Sequence, residues 1–124
     1  MTKEDEIYAS FNGRAEVRIG GEIFLKADDA QRFVAAAQTA GMAVLGIEGV
    51  RIDSNQVVPY VDLIADYSPR TAMEWAEYLE RCNRLALDFL WQAVSEKGTN
   101  TYFCFELLDH AEYVDCLKKL AVAR

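Results

Sequence analysis

The chain has 124 residues, 52% of them hydrophobic, with 13 basic against 20 acidic side chains and a formal net charge of −7. That length suits one domain, over residues 1–124, with a core large enough to fold without a disulfide or a metal. The acidic balance argues against nucleic acid as the main partner, because phosphate backbones recruit clustered Lys and Arg.

The start, "MTKEDEIYAS", lacks the apolar core of a signal peptide, and its "IYASF" reads as an added edge strand. "AEVRIGGEIFLKA" alternates around Gly20-Gly21 and predicts strands over 14–19 and 22–26 joined by a tight turn. "DDAQRFVAAAQTAG" then predicts a helix. Asp28 or Asp29 would cap its start, Gly41 would end it, and Ala30, Phe33, Val34 and Ala37 would form one apolar stripe.

Residues 41–68, "GMAVLGIEGVRIDSNQVVPYVDLIADYS", read as two long strands around Ser54-Asn55. Gly46 and Gly49 suggest a bulge or a close backbone approach, and Pro59 places the second strand at an edge. The hairpin carries Glu48, Asp53, Asp62 and Asp66 against Arg51 alone. Strand interiors are poor in carboxylates. Simple alternation puts Tyr60, Asp62, Ile64 and Asp66 on one face, which in a one-side-covered sheet is the wet one.

"SPRTAMEWAEYLERCNRLALDFLWQAVSEKG" predicts a long helix with Ser68 as cap, Pro69 at the first position and Gly98 at the end. Residues 70–97 would span about 42 Å, longer than a compact domain with a radius of gyration of about 14 Å accommodates without bending or projection. "TYFCFELL" reads as a buried strand, and "DHAEYVDCLKKLAVAR" as a terminal helix with Ala111, Val114, Cys116, Leu117 and Leu120 at helical spacing. The fold class is α+β: a single domain with an antiparallel or mixed sheet of about five strands and three helices mainly on one face.

Catalytic signatures are sparse. No phosphate-binding glycine loop, G-x-S-x-G or H-E-x-x-H pattern occurs, and no cofactor is implied. Cys82, Cys104 and Cys116 form no C-x-x-C pair; Cys82 and Cys104 read as buried thiols, which suits a reducing cytoplasm. His110 beside Asp109 and Glu112, with Cys104, is the weakest of enzyme constellations, and Glu48, Asp62 and Asp66 lack the spacing of a metal loop. The longest charge-free run, 33–47, is too short to cross a bilayer, so no membrane partner is expected.

The stretch "AAAQTAGMAVLGIEGVRID…VVPYVDLIADYS" followed by "WAEYLERCNRLALDFL" resembles small bacterial immunity proteins of polymorphic-toxin systems, of the contact-dependent or colicin-like kind. The matching segments are Gly41–Glu48, Tyr60–Tyr67 and Trp75–Leu90, about half the chain. Glu48-Gly49-Val50 stands where that group has an aspartate-aromatic pattern, and the group's second-strand tryptophan is absent. The resemblance implies a non-catalytic cytoplasmic inhibitor of a cognate toxin domain. The residue pattern agrees: tyrosines supply contact area and carboxylates steer a basic protein. Glu48, Asp53, Tyr60, Asp62, Asp66 and Tyr67 are the expected partner-binding residues. Two other readings stay open: a small enzyme or ligand-binding domain with a pocket between sheet and long helix, and a homodimer formed around Trp91.

Overall fold

The computed structural model describes residues 2–11, 17–19 and 22–122. The elements run α1 (Lys3–Ser10), β1 (Val17–Ile19), β2 (Glu22–Lys26), α2 (Ala27–Thr39), β3 (Ala43–Asp53), β4 (Gln56–Asp66), α3 (Trp75–Lys97), β5 (Tyr102–Leu108) and α4 (His110–Val122). The class is α+β with an antiparallel sheet. Strands β2-β5-β3-β4 form its body, and the three-residue β1 extends it beside β2. The expected Gly20-Gly21 turn and residues 14–16 lie outside the described residues.

Among the described residues four helices form, not three. "IYASF" belongs to α1 and not to an edge strand, because Thr2 and Asp5 close a reciprocal capping box. That box satisfies two amides that a first helical turn leaves open. Tyr8 and Phe11 then pack on Phe33, which stacks on Phe105 of the sheet at 4.8 Å. This aromatic column joins α1, α2 and β5 in one apolar core, into which α3 sends Ala86, Leu90 and Ala93.

Helix α2 keeps its expected stripe of Ala30, Phe33, Val34 and Ala37, all buried. Its start differs: Lys26 is the cap residue and contributes no side-chain bond, so Asp28 and Asp29 sit in the first turn, where they suit the positive end of the helix dipole. Gly41 follows at φ +73°, the left-handed conformation that lets the chain leave the helix. Immediately afterwards Asn83 of α3, buried, accepts from the Val44 amide at 2.8 Å and donates to the Met42 carbonyl at 3.1 Å. It also donates to Gln38 Oε1. One side chain thus ties α2, β3 and α3 together.

Helix α3 begins at Trp75, not near Pro69. Ser68 does not cap it: both its amide and its hydroxyl donate to Asp66. The Tyr113 hydroxyl accepts from the Met73 amide and donates to the Met73 carbonyl, holding the 67–74 segment extended. The helix is therefore about 35 Å long, shorter than expected. In α4 the buried residue is Tyr113, while Ala111 and Val114 face out, so the inward stripe is rotated from the one expected.

The β3–β4 hairpin turns through Ser54 and Asn55, both at positive φ, as two-residue hairpin turns require. Its ladder is broken. Glu48 pairs with Ile64 and Val50 with Pro59, so residues 60–63 of β4 stand opposite the single Gly49. A Cβ at Gly49 would lie 2.8 Å from both Cβ and Cδ1 of Leu63. Gly49→Ala should therefore force Leu63 to move and lower stability by about 1–3 kcal/mol; a fall in the urea midpoint with an unchanged slope is the expected reading.

Candidate functional site

Helices α2 and α3 cover one face of the sheet. The opposite face is where alternation sends the remaining side chains of β5 and β3. In the ladder, Gly46 lies between Glu106 on one side and Asp66 on the other; one step along, Glu48 lies between Cys104 and Ile64. These residues and Glu22 of β2 line a shallow concavity of about 320 Å³. Each of four strands thus contributes one carboxylate: Glu22, Glu106, Glu48 and Asp66. Neighbouring strands are about 5 Å apart, so Glu106 and Asp66 flank Gly46 with room for a long cationic side chain between them. Glu22, Glu48 and Glu106 form no ion pair with a described residue. Ile64 stands among them 61% exposed.

The six expected partner-binding residues do not share this surface. Glu48 and Asp66 do. Asp53 lies at the hairpin tip, paired with Arg51 at 2.7 Å. Asp62 pairs with Lys97 Nζ at 3.1 Å, and the same ammonium lies 5.0 Å from the centre of the Tyr60 ring. The three extra residues of β4 opposite Gly49 are the reason: they break the alternation that would have set Tyr60 and Asp62 beside Ile64. Tyr67 is half-buried and donates its hydroxyl to the Leu85 carbonyl at 3.2 Å, so it holds the loop to α3. The face that assembles instead recruits Glu22 and Glu106, which sequence reasoning did not single out. Period-two alternation in "EIFLK" and "YFCFELL" carries the signal that could have found them.

The electrostatics of individual groups follow from their partners. Hydrogen bonds from Ser68 hold the Asp66 carboxyl below the usual carboxylate range, with a smaller pull from Arg70. The hydrogen bond from Lys97 does the same for Asp62. Cys104, half-buried between the acids, has its thiol pushed up to about 12, first by burial and then by the charges of Glu22 and Glu48. A thiol held protonated is a poor nucleophile.

The Cys104–His110 pairing does not assemble around a common site. His110 stacks on Trp75, ring centroids 5.2 Å apart and nearly parallel, at the other end of β5. Asp109 and Glu112 are committed to each other's backbone amides in a capping box at the start of α4. Glu48, Asp62 and Asp66 likewise do not converge, and among the described residues no three His, Cys, Asp or Glu side chains are grouped to hold a metal ion. No described helix is long and apolar enough to cross a membrane.

Compared with known proteins, the chain matches no family model and no curated protein sequence. The geometry has to carry the functional argument.

The raised thiol gives a direct check. Cys104 should alkylate about a hundredfold or more slowly in the folded protein than in urea near pH 8, read residue by residue by mass spectrometry. The same linkage fixes a sign: folded Cys104 keeps its proton where an unfolded thiol, near 9.0, has lost it. Its contribution to stability is fully present below that value and is lost as pH rises toward 12.

Proposed function

We propose that this chain is a non-catalytic inhibitor that binds a basic protein, acting as an immunity protein against a toxin domain by steric and electrostatic blockade. The observation that carries the reading is the outer sheet face: four carboxylates from four strands around exposed Ile64, three of them unmatched by any cation among the described residues. An apolar centre rimmed by one sign of charge is how an electrostatically complementary protein interface is built. The likeness of the 41–90 region to immunity proteins supports the same class, and a cleft evolved for a polyanionic substrate would supply the basic partner. Val61, 88% exposed on the inserted segment of β4, adds apolar area at the edge of the sheet.

Charge separates this proposal from general stickiness. Partner captured on the immobilised chain at low salt should be released steeply as salt rises, because the Debye length falls from about 30 Å at 0.01 M to about 8 Å near 0.15 M. Glu48→Lys with Glu106→Lys should weaken capture at least tenfold and flatten that salt dependence, whereas Asp53→Asn should change little. Co-expression with the captured protein should protect cells from its growth arrest. Retained affinity in the folded double variant would remove the proposal.

A second reading has one observation in its favour. Leu87 and Trp91, one helical turn apart on α3, are 43% and 69% exposed. If they seat a second copy, light scattering should give a dimer mass at about 100 µM protein, and Trp91→Glu should return it to monomer.

A further inference from the structure

Beyond the Asp66–Ser68 turn lies a second concavity, separate from the acidic face in everything but that turn. It sits between the 67–74 segment and the first turns of α3 and has a volume of about 300 Å³, at the small end for a small-molecule site. Its charge is reversed. Arg70 and Arg81 line it, and neither is ion-paired with a described residue, whereas Arg32, Arg51, Arg84 and Lys97 each hold a carboxylate. Two guanidiniums thus meet at one cavity whose lining holds a single carboxylate, Asp66.

Beside Asp66, Ser68 and Thr71, the rest of the lining is aromatic and apolar, and its rings are fixed. Tyr78 donates its hydroxyl to the Tyr67 carbonyl at 2.6 Å, and Tyr67 donates its own to Leu85. Both rings therefore have their polar ends occupied. Met73 is clamped through its backbone by Tyr113. Burial pushes the Cys82 thiol up, so it lines the wall as a neutral group and offers no nucleophile. Asp66 stands at the rim with its charge stabilised by Ser68. Two guanidiniums against one carboxylate leave room for one more negative charge. A dianion would overfill that balance and meet Asp66.

We infer that this cavity binds a small organic monocarboxylate with an apolar or aromatic body, its carboxylate held by Arg70 and Arg81 and its body against Tyr67, Tyr78 and Met73. Guanidinium groups suit the task because their planar fork matches a carboxylate and stays charged. The site does not depend on the outer sheet face, and either can be correct without the other.

Phenylacetate is the direct probe, titrated into the full chain at low salt near neutral pH and followed by amide chemical shifts. Three comparison ligands dissect it: 2-phenylethanol keeps the body without the charge, acetate the charge without the body, and inorganic phosphate supplies the dianion. Phenylacetate should give saturable shifts at residues 66–73 and 78–85. The two partial analogues and phosphate should each bind about tenfold or more weakly than phenylacetate. Arg70→Gln with Arg81→Gln, both exposed and removable without disturbing the core, should cost about tenfold or more in affinity while leaving the shift dispersion of the fold intact. Absence of saturable shifts up to about 10 mM phenylacetate, equal affinity in the folded double variant, or tighter binding of phosphate would each overturn the inference.

Discussion

The position of every candidate functional group on the hairpin depends on one contact, Leu63 against the bare backbone of Gly49. Four residues of β4 stand opposite that one glycine, so the second strand must leave the ladder and return to it. It can do so only because Leu63 drops into the space a side chain at residue 49 would fill and is buried there in the main core. On one side of the excursion, Tyr60 and Asp62 are delivered to Lys97 at the end of α3. On the other, Ile64 and Asp66 rejoin the ladder opposite Glu48 and Gly46 and face outward with them. A core-packing event thus decides which carboxylates are spent inside the molecule and which remain available.

Polar bookkeeping does the rest of the positioning. Tyr8, Tyr67, Tyr78 and Tyr113 each donate a hydroxyl to a main-chain carbonyl of another segment. Asn83 meets both a donor and an acceptor of the chain around the α2–β3 junction. A buried amide or carbonyl left without such a partner would cost about 1–3 kcal/mol, so these side chains are committed to structure. That commitment changes how the aromatic content is understood. The tyrosines beside the acids look from the sequence like contact residues of an interface, but Tyr67 has its hydroxyl on Leu85 and Tyr60 has its ring against Lys97, and Ile64 and Val61 supply the exposed apolar surface instead.

Local chemistry made much of this legible. The α2 stripe, the glycine exit at residue 41, the hairpin, the edge position of Pro59 and the meaning of Gly49 all follow from side-chain periodicity and backbone permissiveness, which act within a few residues. What failed needed information from further away. An odd number of inserted residues reverses facing, and nothing within "YVDLIAD" says whether its alternation is interrupted; only the space at Gly49, across the sheet, decides it. The Ser68-Pro69 helix start was outcompeted by Asp66, two residues back, and by Tyr113, forty residues on from Met73. Helix α1 is different: its Thr2-x-x-Asp5 box is a local signal, and it prevails over the β-prone pattern of "IYASF". Unbroken alternation in β4 would place the site along one hairpin. The acids that gather do so across four strands.

The distribution of cations explains why the outer face keeps its field. Lys97 and Arg51 pair with Asp62 and Asp53, the two hairpin acids outside the Glu48–Gly46 rows. Arg70 and Arg81 line the cavity beyond the Asp66–Ser68 turn, where Arg70 acts on Asp66, and neither lines the concavity that holds Glu22, Glu48 and Glu106. Near 0.15 M salt the screening length is about 8 Å, comparable to two strand spacings, so carboxylates on adjacent strands still add their potentials while more distant cations subtract little. Cys104, half-buried beside them, has its thiol pushed up by burial first and then by the charges of Glu22 and Glu48. Carboxylates of one sign gathered on adjacent strands favour a lysine or arginine brought up from solvent, and Ile64 in their midst offers that cation's neighbours an apolar surface to desolvate.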